Sequence, residues 1–397
     1  MSSSVQEPPR SLYVSPHALP SIPHLSQMVD LISSSVMGPN ATFRNDSFTD
    51  LFNPDDVLPP FFQVFDTSFL DILGPSPSIR RIAFNPDFAF AHEAPIWNPI
   101  TDEITFASND GGALGNSGLN ANNIVNSINL SDIPPSSNGT EVNVTVTPLD
   151  LPDVVQMTNG GTGPYHGDLL LITSGRGPLP PSIVRVNPSA PHNATVLLDN
   201  FLGRQFNSLN DIKVHPTSGA LFFTDVTYGW LNQFRPLPLM PNQVYRLDPT
   251  TRAVRVVADQ FLRPNGIAFS VDGTKAFVTD TGANGGFLGN NGTNPATIYQ
   301  YDVDPTTQAF TNRRTFAYID AGIPDGIQVD VDGNVYSGCA DGVQVWNSSG
   351  TLIGKFFVGT TSANMAFAGP GRLVILAETA VYIAEIAAQG PDLANLG

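Results

Sequence analysis

The feature that most constrains this chain is a repeated pattern: a polar residue, an alternating strand, a glycine turn and a second strand. The copies that begin at Asn210, Asn265 and Asp325 are the clearest. The six copies begin at Glu93, Asn159, Asn210, Asn265, Asp325 and Asn364. A repeated unit of this kind packs against its neighbours in an array. The sequence therefore predicts an all-β, six-bladed β-propeller with four antiparallel strands in each blade.

The ends of the chain suggest how the ring closes. The copy that begins at Asn364 is too short for a whole blade, and propellers complete such a blade with a strand from the other terminus. The apolar run Phe62-Gln63-Val64-Phe65 is the expected donor. Residues 1–60 are rich in Pro and Ser and are predicted to form an N-terminal arm. Residues 61–397 are predicted to form one propeller catalytic domain.

The six polar residues at the start of the copies share a register, and in a propeller that register faces the central axis. All six carry a side-chain oxygen, and two of them, Glu93 and Asp325, are carboxylates. Carboxylate and amide oxygens suit a hard cation, and this mixture favours Ca²⁺ over Mg²⁺, with another divalent cation possible. An alternative is that the Asn-Gly and Asp-Gly pairs only form turns. That alternative does not account for Glu93.

Composition narrows the classes of partner. The net charge is −17, which argues against nucleic acid and anionic membrane surfaces because such partners are bound through a basic face. The single cysteine, Cys339, excludes an intrachain disulfide and a thiolate zinc cluster. No apolar run approaches the length of a membrane span. Nucleic acid and anionic membrane surfaces are therefore disfavoured as partners.

Potential glycosylation sites suggest a secreted protein. The eight Asn-x-Ser/Thr sequons begin at Asn40, Asn45, Asn129, Asn138, Asn143, Asn193, Asn291 and Asn347. The first residues lack the pattern of a signal peptide. A composition rich in Asn, Ser and Thr is an alternative origin of these sequons; we expect a secreted glycoprotein whose leader is absent from this sequence.

Several motifs resemble a known family. They are His92-Glu93-Ala94, Asn207-Ser208-Leu209-Asn210-Asp211, Pro264-Asn265-Gly266-Ile267 and Gly338-Cys339 with Val345-Trp346-Asn347. With them the chain resembles the gluconolactonase/regucalcin (senescence marker protein) superfamily of six-bladed propellers, and within it the fungal lactonohydrolases of the D-pantolactone hydrolase type. The resemblance extends from about residue 61 to the C-terminus.

The resemblance implies one catalytic divalent cation, usually calcium, held by Glu93, Asn210, Asn265 and Asp325. It also implies that Asp325 is the general base or nucleophile. Animal gluconolactonases carry an Arg two residues before the Asn of their Asn-Asp motif, where this chain has Ser208. This difference favours a smaller or less polar lactone over a sugar acid lactone.

The remaining site residues are expected to contact the substrate. Asn159 and Asn364 are expected to orient the substrate or a metal-bound water, and Ser208 takes the position of the family's arginine. His92 adjoins Glu93, and because successive side chains of a strand face opposite sides, we interpret it as a packed or substrate-side residue rather than a proton shuttle. Glu93 and Asp325 are the predicted catalytic pair.

The predicted function is calcium-dependent hydrolysis of the ring ester of an aldonate-type lactone or of D-pantolactone. Two alternatives stay open on the sequence. The same metal site could hydrolyse a phosphotriester, or the propeller could be a non-catalytic binding module with a structural calcium. The oligomeric state is not predicted.

Overall fold

The computed structural model describes residues 26–28, 38–40, 57–135, 141–319 and 321–392. Their regular secondary structure is almost all β, and the strands form six blades arranged in a ring: five blades have four antiparallel strands, and one has six strands, of which the outermost pairs in parallel. The predicted six-bladed β-propeller is confirmed. Whether residues 1–60 form a separate arm stays a prediction, because most of them lie outside the described residues.

The first three blades follow one another along the chain. Blade 1 contains β4 (Glu93–Asn98), β5 (Glu103–Ala107), β6 (Val125–Asn129) and β7 (Thr147–Pro148). Blade 2 contains β8 (Thr158–Tyr165), β9 (Asp168–Thr173), β10 (Ser182–Val186) and β11 (Ala194–Leu198). Blade 3 contains β14 (Leu209–Val214), β15 (Leu221–Asp225), β16 (Gln243–Leu247) and β17 (Val254–Ala258).

The other three blades complete the ring with help from strands near the N-terminus. Blade 4 contains β18 (Pro264–Phe269), β19 (Lys275–Asp280), β20 (Thr297–Val303) and β21 (Phe310–Tyr318). Blade 5 contains β22 (Ile327–Val329), β23 (Val335–Cys339), β24 (Gly342–Trp346), β25 (Leu352–Phe357), β2 (Phe61–Val64) and β1 (Ser26–Met28). Blade 6 contains β26 (Asn364–Phe367), β27 (Arg372–Ala377), β28 (Ala380–Glu385) and β3 (Ser78–Phe84).

The minor elements lie between the blades or on their edges. They are α1 (Phe69–Leu73), α2 (Tyr228–Leu231), two 3₁₀ turns at Leu130–Asp132 and Gly286–Leu288, and the hairpin β12 (Asn200–Phe201) with β13 (Arg204–Gln205). Within the described ranges, no helix has the length and apolarity needed to cross a lipid bilayer.

The blades are held together by apolar cores between neighbouring sheets. In β9, Leu169 and Leu171 face blade 1, whereas Leu170 and Ile172 face blade 3. Similar cores join each further pair of adjacent blades. A strand that is buried on both faces reads as a continuous apolar run, which explains the Leu-Leu-Leu-Ile sequence of β9.

Ring closure occurs through a different strand from the one expected. The chain's N-terminal part does complete blade 6, but the donor is β3, which pairs with β28 from Ala380↔Phe84 to Glu385↔Ser78. The prediction that Phe62-Gln63-Val64-Phe65 completes the last blade was therefore wrong. The sequence of β3 suits an outermost strand, because half-buried Arg81 and exposed Phe84 accompany buried Ile79 and Ile82.

The run Phe61–Val64 instead extends blade 5. β2 pairs antiparallel with β25, and its Phe62 packs edge-on against Phe356 with ring centroids 5.6 Å apart. β25 is consequently almost wholly buried, whereas the outer strand of blade 2, β11, is half-buried to exposed. The apolar sequence of β25 needs a cover, and β2 supplies it.

Candidate active site at the propeller axis

The six residues of the predicted register all lie at the amino ends of the innermost strands. We call Glu93, Asn159, Asn210, Asn265, Asp325 and Asn364 the axial ring. Five of them are buried, with exposures of 2–4%, and Asp325 is half-buried. The sequence repeat therefore identified a true structural register.

Irregular strand pairing accompanies four ring positions. The ladder between the first two strands shifts register between Glu93 and Ile96, and equivalent shifts occur in the next three blades. In blades 2 to 4 the shifted segment contains Asn159, Asn210 and Asn265. A bulge leaves a residue unpaired and changes the direction of its side chain, which is how strands commonly present functional groups.

The glycines that follow three ring residues have a packing role. A Cβ atom at Gly266 would lie 2.6 Å from the carbonyl oxygen of Asp325, and one at Gly326 would overlap the carboxamide of Asn364. Neither glycine has positive φ, and Gly266 lies within β18. The reading of the Asn-Gly pair as a turn is therefore wrong: glycine is required because the innermost strand of the next blade approaches closely.

Hydroxyl groups tie successive blades together beneath the ring. Thr224 Oγ1 donates to the carbonyl oxygen of Asn265 over 2.7 Å, and Thr279 Oγ1 donates to that of Asp325 over 3.0 Å. Each donor lies on the second strand of the preceding blade. These bonds fix the backbone from which the ring side chains project.

Two carboxylates and a histidine converge at the ring. Potential ligand atoms of His92, Glu93 and Asp325 all lie within 4.8 Å of one another. Burial raises the pKa of Glu93 well above its usual value, and the nearby carboxylate of Asp325 raises it further. Burial likewise raises the pKa of Asp325 to about 6, while His92 opposes that rise. Two carboxylates that repel each other therefore lie side by side, and a bound cation would offset that repulsion.

Three amide oxygens at the ring have no hydrogen-bond partner among the described residues. They are the buried Oδ1 atoms of Asn159, Asn210 and Asn265. Buried polar atoms are normally paired, so three orphaned oxygens in one register indicate a missing partner. Neutral amide oxygens beside two carboxylates form a donor set that fits a hard divalent cation. The residues present therefore fit the predicted metal.

His92 belongs to the site, although the alternation of strand side chains suggested a packing role. Its Nδ1 lies 2.7 Å from Oε1 of Glu378, and Asn109 donates to Oε2 of Glu378 over 3.0 Å. Burial opposes a charge on His92, but the carboxylates of Glu378, Glu93 and Asp325 raise its pKa to about 10. The alternation argument did not apply, because β4 begins only at Glu93 and is irregular from that point.

Sequence reasoning missed Asp110 and Glu378. Asp110 accepts hydrogen bonds from Asn159 Nδ2 over 3.1 Å and from Ser174 Oγ over 3.2 Å, and burial raises its pKa to about 6. Glu378 occupies the turn between β27 and β28 with positive φ. Both residues lie just beyond the second strand of a blade, level with the ring. The sequence positions just after the second strand of each blade are where these two residues could have been predicted.

Ser208 and Asn364 differ from their expected environment. Ser208 has no exposed surface, and its Oγ accepts a hydrogen bond from the backbone N–H of Gly229 over 3.0 Å. Asn364 donates to Oε2 of Glu93 over 2.6 Å and accepts from the N–H of Met365 over 2.8 Å. The structure thus leaves no free surface for substrate on Ser208 and engages both polar atoms of Asn364.

The opposite end of the axis contains a cavity of about 620 Å³. Its lining includes Ile96, Trp97, Phe269 and Phe367, which lie towards the carboxyl ends of innermost strands. The axial ring lies at the amino ends of the same strands. The ring and this cavity are therefore separate.

Comparison with known proteins identifies the family. Residues 138–379 match the SMP-30/gluconolactonase/LRE-like region. The lactonohydrolase oryL from Aspergillus oryzae is 30% identical over 350 residues, which cover 82% of this chain and 72% of oryL. The chain belongs to the SMP-30/gluconolactonase family. The predicted resemblance is confirmed.

Solved structures agree with this assignment. The gluconolactonase from Xanthomonas campestris is 25% identical, superposes with a TM-score of 0.63, and is matched over 83% of this chain and 96% of its own. Regucalcin from Agrobacterium tumefaciens, described as a calcium-binding protein, is 18% identical with a TM-score of 0.53, covering 78% of this chain and 97% of its own. At that identity the likeness to regucalcin establishes the fold alone. This member of the SMP-30/gluconolactonase family thus shares the propeller of both proteins.

Proposed function

We propose that this chain hydrolyses the ring ester of a lactone and holds a divalent cation, calcium in the first place, at the axial ring. The observation that carries the proposal is the set of unpartnered amide oxygens of Asn159, Asn210 and Asn265 beside the carboxylates of Glu93 and Asp325. Family membership supports the reaction class, because relatives carry the names lactonohydrolase and gluconolactonase.

The proposed ligands are Glu93, Asn210, Asn265 and Asp325. A divalent cation bound among carboxylate and amide oxygens is a Lewis acid that stabilises negative charge developing on a carbonyl oxygen. Glu93 is held for this role by the amide of Asn364. The Nδ2 of Asn159 donates a hydrogen bond to Asp110, which fixes the side chain and leaves its Oδ1 without a partner among the described residues.

Asp325 is the proposed general base or nucleophile. As a base, it takes one proton from water while the water oxygen bonds to the lactone carbonyl carbon. The ring C–O bond then breaks, and the proton passes to the departing ring oxygen to give a hydroxy acid. As a nucleophile, its carboxylate bonds to the carbonyl carbon while the ring C–O bond breaks and the departing ring oxygen takes a proton from solvent; water then hydrolyses the resulting anhydride, which releases the hydroxy acid and restores the carboxylate. Asp325 is half-buried whereas the other five residues of the axial ring are buried, so it is the ring residue most accessible to water and substrate.

His92 is the proposed substrate-side residue. Glu378 holds its ring by the bond to Nδ1; burial opposes a charge on His92, but in the metal-free protein the carboxylates of Glu378, Glu93 and Asp325 raise its pKa. An imidazole fixed in this way beside Asp325 can, when protonated, donate a hydrogen bond to a substrate oxygen. Ser208 is not included, because its side chain is buried.

A lactone panel tests the proposal. Purified protein is assayed with D-pantolactone, glucono-δ-lactone and a phosphotriester, first as isolated, then after treatment with a chelator, then with calcium restored. We expect lactone hydrolysis that is lost on chelation and regained with calcium. Asp325→Asn should abolish it, and Asp332→Asn, on an exposed hairpin turn, is the matched control.

The alternatives give different results in the same assay. Hydrolysis of the phosphotriester without lactone turnover supports the phosphotriesterase reading. Tight calcium binding without hydrolysis of any ester supports a structural calcium in a binding module. Lactone turnover that is fully retained in metal-free protein contradicts the role of the cation.

We also propose that the protein is a secreted glycoprotein. The sequon residues Asn129, Asn143, Asn193 and Asn291 are exposed, which supports access for a glycosyltransferase. Expression through a eukaryotic secretory pathway should yield a protein whose mass falls on endoglycosidase treatment. An unchanged mass would count against glycosylation.

A further inference from the structure

The loops around the axial ring are unequal. The end of the second strand and the start of the third lie level with the ring in every blade, so the connections between them surround it. In blades 1 to 4 these connections are long, and we call them the rim loops: residues 108–124, 174–181, 226–242 and 281–296. In blades 5 and 6 they are the two-residue turns 340–341 and 378–379.

The rim loops contact one another and the ring. Asp110 accepts from Asn159 of the ring through its carboxylate and from Asn232 through its carbonyl oxygen. Arg235 donates to the carbonyl oxygens of Gly177 and Leu179 over 2.6 and 2.8 Å. These bonds connect blades 1, 2 and 3.

An aromatic contact connects the rim loop of blade 3 to that of blade 4. Trp230 of the third loop meets Phe287 of the fourth edge-on, with ring centroids 5.2 Å apart. The four loops therefore form a continuous wall along the side of the ring that contains Asn159, Asn210 and Asn265. The wall does not extend past Asp325, because the corresponding connections of blades 5 and 6 are only two-residue turns.

The wall exposes several large apolar side chains, beside neutral polar residues such as Asn116, Gln233 and Asn290. Its exposed large apolar side chains are Leu114, Leu119, Ile124, Leu179, Leu237, Leu239, Phe287 and Leu288, with exposures from 39% to 84%. Single exposed leucines are ordinary, but this many on four contacting loops form a patch of the kind that binds a ligand.

The wall also lacks exposed charge. Its four ranges are fully described and contain three charged residues, Asp110, Arg176 and Arg235. Asp110 and Arg235 are buried, and half-buried Arg176 donates to Gln156 and to the carbonyl oxygen of Leu119. The rim loops therefore offer no free cation to an anionic substituent.

We infer that the rim loops bind the apolar substituent of a neutral lactone, so that the preferred substrates are alkyl- or aryl-substituted lactones rather than polyhydroxylated sugar lactones. The inference rests on the proposed lactone hydrolysis and assigns its substrate class. The substituent lies against the wall, and the ring ester lies over the axial ring beside Asp325. Apolar contact stabilises such a substrate in proportion to the area that it removes from water.

A homologous series of lactones tests the inference. δ-Lactones with n-alkyl groups from methyl to hexyl on the carbon next to the ring oxygen are compared with glucono-δ-lactone, which has the same ring. We expect kcat/KM to rise with chain length, by up to roughly fourfold per buried methylene, and to exceed the value for glucono-δ-lactone.

Substitutions on the wall should reduce this dependence. Leu119→Asn, Leu239→Asn and Phe287→Asn change exposed side chains and should flatten the rise of kcat/KM with chain length. Ile100→Asn is the control, because Ile100 is 90% exposed on the turn between β4 and β5, away from the ring. It should leave the slope unchanged.

The outcomes separate the two proposals. If glucono-δ-lactone is hydrolysed but the slope is flat in the unmodified protein, or unchanged in every wall variant, the inference is overturned and lactone hydrolysis stands. If no lactone is hydrolysed, the proposed function itself fails. A dimer that the wall variants dissociate, without any chain-length effect, would show that the wall is an interface between copies and would also overturn the inference.

Discussion

Asn364 Nδ2 donates a hydrogen bond of 2.6 Å to Oε2 of Glu93 and so joins the last blade of the propeller to the first at the axis. Both residues are 2% exposed. The carboxamide oxygen of Asn364 accepts from Met365, so both polar atoms of the amide are engaged. Asn364 therefore orients the carboxylate of Glu93, the proposed metal ligand, as the hydrogen-bond partners of metal ligands usually do.

Asn364→Ala removes this hydrogen bond and should weaken calcium binding by about tenfold, because Glu93 loses its fixed orientation. Isothermal titration of calcium into metal-free protein measures the change. Asn193→Ala, at an exposed asparagine before β11, is the control and should bind calcium normally. Unchanged affinity in Asn364→Ala would mean that Glu93 is oriented by other contacts.

Asp325→Asn should lower kcat by roughly 10²–10⁴ if Asp325 is the general base. The same substitution removes one of two acids that repel each other, since the charge of Asp325 raises the pKa of Glu93. The metal-free variant should therefore melt no lower than the unmodified metal-free protein. Lost activity together with a markedly lower melting temperature would indicate misfolding instead.

The His92–Glu378 pair should make stability depend on pH. Burial opposes the charge of His92, but nearby carboxylates raise its pKa from 6.5 to about 10. Protonated His92 therefore contributes its full stabilisation below pH 6.5, and this contribution is lost as the pH rises towards 10. The pKa of Glu378 is lowered by His92 despite burial, so its contribution exists above its ordinary value of 4.5 and is lost in acid.

The free energy of unfolding of metal-free protein should therefore exceed that of Glu378→Gln most between about pH 5 and 6.5 and converge with it towards pH 10. Urea denaturation across this range measures the difference. Glu103→Gln, outside the site, should show no such trend. A constant difference at all pH values would disprove the ion pair.

Gly326→Ala should destabilise the protein by about 1–3 kcal/mol, because the new Cβ overlaps the carboxamide of Asn364. Calcium affinity should fall with it, since Asn364 holds Glu93. Gly292→Ala is the matched control, as a Cβ there meets nothing within 4 Å. Thermal unfolding and calcium titration of both variants measure the two effects.

Phe62→Ala should lower the free energy of unfolding by about 3–5 kcal/mol. The side chain of Phe62 extends from β2 into the core between blades 5 and 6 and is fully buried there. Phe84→Ala, at the 39% exposed end of β3, should cost far less. Denaturant unfolding compares them. Equal costs would show that β2 does not cover blade 5 in solution.

Much of the site was predictable because it repeats. One register of the sequence repeat contained Glu93, Asn159, Asn210, Asn265, Asp325 and Asn364, and all six lie at the amino ends of innermost strands. Asp110 and Glu378 were not predictable in this way. They follow the second strand of single blades, and only the folded ring brings Asp110 to Asn159 and Glu378 to His92.

The sequence by itself determined the number of blades, the axial register and the oxygen-rich donor set, because a local strand pattern repeats with its polar residue in place. The tertiary structure decided which N-terminal strand closes the ring, since β2 and β3 both have apolar residues to bury and they differ in the strand edge with which each one pairs, β25 or β28. It also decided that Gly266 permits close packing and that four loops form one continuous wall. Those properties arise from contacts between blades, which a pattern along one strand does not specify.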